Sequence, residues 1–123
     1  MRREELLLLD IIEAADAIRK FLAGVAIERF LQDDLLQSSV LLKLIIIGEA
    51  AARLPAEFRA RHRDIEWSDV IGFRNILVHE YFALRWPTVW ETATADVPKL
   101  RQRVAAVLAA EYPQVKLPES GPD

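Results

Sequence analysis

Apolar residues recur at intervals of three and four along the start of the chain. Leu8, Ile11, Ile12, Ala15, Ile18 and Leu22 fall on one side of a 3.6-residue period, and Glu5, Glu13, Asp16 and Lys20 take the other. This pattern predicts an amphipathic helix over residues 4–22, with Gly24 positioned to end it. A short turn carrying Ile27, Phe30 and Leu31 leads to Asp33-Asp34, an N-cap for a second long helix running to Leu54. Pro55 suits the first turn of a shorter helix through Arg61, and Ser68 or Asp69 is expected to cap a segment from Val70 to about Tyr81. The last helix should start near Pro87 and run to about Ala110, with a kink or broken turn at Pro98. Tyr112-Pro113, followed by Pro118 to Asp123, reads as a frayed tail, so the domain is expected over 1–112 and the tail over 113–123. Four main helices, one short helix and almost no strand make the chain all-α.

Composition narrows the chemistry. At 123 residues the chain suits one core, and with no cysteine it offers no disulfide, no thiolate nucleophile and no Cys-based zinc or iron–sulfur site. Two histidines exclude a three-histidine metal centre within one chain, so any metal would have to be held mainly by carboxylates; no cofactor is expected. A net charge of -3 means that any nucleic-acid contact must be local. The run Leu6 to Leu9 breaks at Asp10, too soon for a signal-peptide core. The apolar stretch Leu35 to Leu54 is interrupted by Gln37, Ser38, Ser39, Lys43, Glu49 and Arg53, which favours a buried core helix over a membrane span. A cytoplasmic address without membrane association is the resulting expectation. Mean hydropathy is +0.10, high for so small a domain, and oligomerisation is the simplest outlet for the surplus apolar surface.

One segment concentrates reactive groups. Arg74-Asn75-Ile76-Leu77-Val78-His79-Glu80-Tyr81 places an arginine, an amide, a histidine, a carboxylate and a phenol within eight residues of an otherwise apolar helix. Asn75 and His79 share one helical face, but Arg74 and His79 lie about 140° apart on a regular helix. For both to address one phosphate, the helix must end near His79 or a second subunit must supply the missing partner. The spacing alone carries little weight, since 12 arginines and two histidines give an Arg four to six places before a His about 0.6 times by chance. From composition alone, His79 reads as a satisfied core or interface histidine and Arg74 as an ion-pair partner.

Longer strings change that. Ile47-Gly48-Glu49-Ala50-Ala51, Ile65-Glu66-Trp67, Gly72-Phe73-Arg74-Asn75 through His79-Glu80-Tyr81-Phe82, and Val89-Trp90 occur in an order and spacing that resemble the HepT-like branch of the HEPN superfamily, from about Glu4 to Leu108. The resemblance implies an antiparallel helical bundle that dimerises around an Arg-x4-His-x-Tyr motif. It further implies a metal-independent endoribonuclease, the toxin of a type VII toxin–antitoxin system, acting on RNA such as tRNA. Its partner would be a minimal nucleotidyltransferase antitoxin that adenylylates the motif's tyrosine. Arg74 and His79 fall on the catalytic positions, Asn75 and Glu80 on supporting ones and Tyr81 on the AMP acceptor. The sequence departs from the family at Leu42, Lys43 and Ile45, where members often carry polar residues, including a helper Glu at the place of Ile45. Glu80 stands where Asp is more usual.

The residues suit the implied reaction. RNA carries its nucleophile in the 2′-OH, an imidazole can move protons near neutral pH, and a guanidinium fork matches phosphate oxygens as charge builds on them. The expected product is a 2′,3′-cyclic phosphate, and DNA, which lacks the 2′-OH, is not expected to be cut. AMP on Tyr81 would crowd the site and compete for the same guanidinium. Arg53, Arg59, Arg61 and Arg63 against Glu57 give a local net of +3, a candidate RNA-tracking surface or a solvated helix face. His62 among them is expected to be solvent-exposed. Trp67, Trp86 and Trp90 read as core or interface anchors more than base-stacking platforms. Two other readings stay open: a non-catalytic HEPN dimer that binds a nucleotidyltransferase or a nucleotide, and the antitoxin of such a pair. A homodimer or higher oligomer is common to these readings.

Overall fold

Helix boundaries follow local sequence where a cap or a proline dictates them and tertiary burial where neither does. The computed structural model describes residues 3–118. In order, α1 (Glu4–Leu22), α2 (Ile27–Phe30), α3 (Asp34–Arg53), α4 (Ala56–Arg61), α5 (Trp67–His79), α6 (Trp86–Glu91) and α7 (Val97–Glu111) are joined by a 3-10 turn at Tyr81–Ala83 and a π-turn at Thr92–Asp96. No strand occurs among the described residues. The all-α expectation holds.

Asp33 caps α3 as expected, its Oδ1 accepting from the Leu36 amide at 3.0 Å. Gly24, with φ at +71°, takes the left-handed conformation that turns the chain after α1. α5 begins three residues earlier than the sequence suggested, and neither Ser68 nor Asp69 caps it. Trp67 starts the helix because its ring is buried and its Nε1 donates to the His62 carbonyl at 3.1 Å. At the other end α5 stops at His79 and not at Tyr81, for Glu80 leaves helical geometry with φ -125° and ψ 36°.

The irregularity expected at Pro98 falls in the turn just before it, where the α register is interrupted. Helix runs on from Trp86 through Glu111, with right-handed helical dihedrals at Glu91, Thr92, Asp96 and Val97, and the register loosens to π across 92–96 just before the proline. Pro98 has no N–H to return to the Thr94 carbonyl, and its ring would collide with that carbonyl in tight α-register; the wider turn accommodates both problems.

The core is laid between α1 and α3, with α5 packed on α3 and α7 on α1. Leu8, Ile11, Ile12 and Ile18 of α1 are fully enclosed, as are Val40 and Ala51 of α3 and Val104 and Leu108 of α7. Each of the leucine, isoleucine and valine side chains among them contributes about 1.5–3 kcal/mol through burial. Phe30 closes one end beneath Trp86 and Trp90, with ring centroids 6.1 and 5.3 Å away, and Phe58 closes the other beside Trp67. The three tryptophans are thus packing anchors. α3 is long and apolar enough to cross a membrane by length and composition, but its inner face forms the centre of this core.

Two polar clamps fix α7 antiparallel to α1. Arg101 donates from Nε and Nη2 to the two carboxylate oxygens of buried Asp16, at 2.7 and 3.2 Å. Tyr112 donates its hydroxyl to Glu4 at 2.5 Å. The tail expectation is corrected as far as Pro118: Val115 and Leu117 pack against the core, and the Pro118 carbonyl accepts from Arg101 Nη2 at 2.8 Å. Residues 119–123 of that expectation lie outside the described residues.

The Glu4 hydrogen bond, aided by burial, pushes the Tyr112 phenol up from 10.0 to about 12. Because the phenol must be protonated to donate, this bond stabilises the fold below the unfolded phenol's pKa near 10 and is lost as pH rises through 12. Thermal melts should therefore lose stability between pH 10 and 12, and Tyr112→Phe should remove that part of the alkaline slope. An unchanged slope in the variant would assign the alkaline loss to other groups.

Candidate functional site

Residues Arg74 to Tyr81 occupy the last two turns of α5 and the 3-10 turn after it. Leu77 points into the core, while Asn75, Ile76, Val78 and His79 are exposed. Arg74 turns toward α3. There Gly48 permits an unusually close approach, since a methyl group at that position would overlap Arg74 Cβ and Cγ. The arginine's head is anchored twice: Nη1 donates to Glu49 Oε1, and Nε donates to Asn75 Oδ1 at 2.8 Å. Its side chain is 17% exposed, so the guanidinium lies at the rim of the helix pair.

Glu49 is the residue that sequence reasoning passed over. It stands in the quoted Ile47 to Ala51 string, but its pairing across 25 positions is visible only once α3 and α5 are packed. A carboxylate therefore reaches the arginine, one helical turn after Ile45. Arg53, one of the RNA-binding candidates, lies on the same carboxylate at 3.9 Å.

Gly48→Ala tests the close approach. The added methyl should cost about 1–3 kcal/mol in overpacking, offset in part by about 1 kcal/mol of helix propensity. Urea unfolding should show net destabilisation, and a more stable variant would contradict the tight contact.

The structure does not bring Arg74 and His79 together within one chain. α5 stays regular through His79, so the two side chains remain about 140° apart and some 7.5 Å apart along the axis. Arg74 faces α3 and His79 faces solvent. A cleft of about 450 Å³ between α5 and α7, walled by Val70, Phe73 and Leu100, does not take in Arg74, His79 or Tyr81. The motif thus sits on an open face. Around it Ile76 (46% exposed), Val78 (47%) and Phe82 (101%) present apolar surface to solvent.

Tyr81 opens the 3-10 turn two residues after His79, 44% exposed and edge-on to the rings of Phe82 and Trp86. Glu80, at the helix terminus, is exposed. The other arginine candidates lie elsewhere. Arg61 is bonded to Glu111 at 2.9 Å and lies over the Phe58 ring, Arg59 is half-buried, and Arg63 is exposed. They sit at the end of the bundle where α5 begins, about 18 Å along the axis from His79. His62 is not solvent-exposed as expected: it is half-buried, packs on Phe58 at 4.7 Å and pairs through Nε2 with Glu111. Burial pushes the Glu111 carboxyl up, but the Arg61 hydrogen bond and the neighbouring His62 outweigh it and hold the group below 4.5. Among the described residues no group of three or more His, Asp or Glu side chains is arranged to hold a metal ion.

Comparison with known proteins decides the family. The family model for HepT-like ribonucleases matches residues 11–107. The chain belongs to the HepT-like ribonuclease family. A candidate RNase of Caldanaerobacter subterraneus subsp. tengcongensis is 34% identical over 101 residues, 82% of this chain and 90% of the relative. The probable ribonuclease HepT of Thermococcus cleftensis is 36% identical over 75% of this chain and 84% of its own. A candidate RNase of Methanocaldococcus jannaschii is 32% identical over 81% and 92%. No solved structure gave a significant match. Within this HepT-like chain the matched span holds Gly48, Glu49 and the whole Arg74 to Tyr81 segment.

Proposed function

We propose that this HepT-like chain is a metal-independent endoribonuclease that works as a homodimer, the toxin of a toxin–antitoxin pair. The observation that carries the reading is a half-built site. Arg74 is fixed at the rim of α3 and α5, while His79, ringed by exposed Ile76, Val78 and Phe82, ends a helix on an open face. A second copy laid across that face would cover the apolar residues and bring a second Arg74 and His79 to the same groove. One imidazole would then accept the 2′-OH proton as the other protonates the 5′-oxygen leaving group, and the guanidinium would stabilise charge on the non-bridging phosphate oxygens.

On this reading tRNA is the substrate we favour, and Tyr81 is the acceptor of AMP from a nucleotidyltransferase antitoxin, which places the pair in the cytoplasm. Exposure of Tyr81 two residues after His79 supports it: AMP there would set a bulky anion beside the histidine and in reach of the arginine. Of the arginine candidates, Arg53, which shares the Glu49 carboxylate with Arg74, is the one best placed to track RNA at the motif.

A second reading, a non-catalytic dimer that binds a nucleotidyltransferase or nucleotide, is favoured by Arg74 being already paired. One experiment separates them. Purified chain, shown by mass to lack AMP, is incubated with total tRNA in EDTA and the RNA ends are analysed. Fragments with 2′,3′-cyclic phosphate are expected; intact RNA would favour the binding module.

A further inference from the structure

We propose that Glu49 is a positioning residue for the Arg74 phosphate clamp, an inference that rests on the ribonuclease reading above. A guanidinium has five N–H donors in one plane. Asn75 Oδ1 takes the single Nε proton and Glu49 Oε1 takes one from Nη1. Two anchors on different atoms of a planar group fix its rotation about the side-chain axis. What remains is the outer edge of the fork: one proton on Nη1 and both on Nη2, the set that a phosphate engages with two parallel bonds. Gly48 brings the stem of Arg74 close enough for the neighbouring Glu49 to reach its head.

Stability does not explain the contact well. The Glu49 side chain is 42% exposed, and pairs so open to water hold a fold only weakly. Its effect should fall on orientation. Arg53, 3.9 Å away, also offsets the Glu49 charge, so the pairing does not leave the neighbourhood anionic as an RNA strand approaches.

The test is a double-mutant cycle in single-turnover RNA cleavage, with wild type, Glu49→Ala, Arg74→Ala and both together. Glu49→Ala should lower the cleavage rate roughly ten- to a hundredfold, as expected when a reacting group is displaced by about an ångström, with RNA affinity little changed and the thermal transition in place. In the Arg74→Ala background the same change should do nothing further. Glu49→Gln, whose amide oxygen can still accept from Nη1, should recover part of the rate. Nitrogen-15 spectra should show resolved Arg74 Nη1–H signals that Glu49→Ala abolishes, while the Nε–H signal held by Asn75 persists.

Additive effects of the two changes, or faster cleavage in Glu49→Ala, would overturn the inference and leave the ribonuclease reading standing; the second result would make Glu49 a competitor of the phosphate. A wild-type chain that cuts no RNA would overturn the ribonuclease reading and this inference with it.

Discussion

His79→Ala should reduce RNA cleavage by roughly 10² to 10⁴, the range over which a positioned acid–base group accelerates proton transfer. Thermal unfolding should scarcely move, because His79 is exposed at the helix terminus and neither a packing contact nor an ion pair ties it down in the single chain. The two readouts together discriminate between roles. A structural histidine would lose stability and activity in parallel, and a bystander would lose neither. If the two imidazoles divide the acid and base roles across a two-fold axis, adding excess His79→Ala chains to wild type should lower activity more than dilution does, because a heterodimer holds one imidazole where two are needed.

Arg101→Met should be the most damaging change to the fold. The substitution keeps the apolar stem and removes the charge, leaving buried Asp16 without its two-pronged partner in a medium that solvates it poorly. Breaking one side of such a pair costs about 3 kcal/mol or more, equivalent to roughly 12 °C in melting temperature for a chain of this size. The Pro118 carbonyl loses its donor too, so the 113–118 segment should gain proteolytic sensitivity. Arg101→Met combined with Asp16→Leu should recover most of the loss, because replacing both partners removes the orphaned charge. Urea denaturation of the three forms checks it; equal stability of single and double variants would mean that packing, and not charge, sets the cost.

The long helices were legible because their signals are local. Apolar spacing set α1, an Asp side chain set the start of α3, and a proline at the first turn set α6. The boundaries of α5 were less legible for the opposite reason. Trp67 begins it by burying its ring and reaching the His62 carbonyl, and no cap residue announces that. Pro98 announced an irregular turn, but its form, a π-turn over the five residues 92–96, depends on the register upstream. His62 looked like part of a basic surface run until α4 met the end of α7 and Glu111 claimed it.

The same division runs through the site. By itself the sequence determined the helical class, the family strings and the identities of Arg74, His79 and Tyr81, because residue type, order and helical period are properties of neighbours along the chain. It also determined that Arg74 and His79 diverge on a regular helix, which is arithmetic on five residues. Only the tertiary structure decided what Arg74 touches, that Gly48 is the hole its stem fills, and that the face bearing His79 is left open. Those facts depend on how α3 and α5 approach one another, and the approach is set by burial of the whole core, a sum over many distant residues that no local pattern encodes.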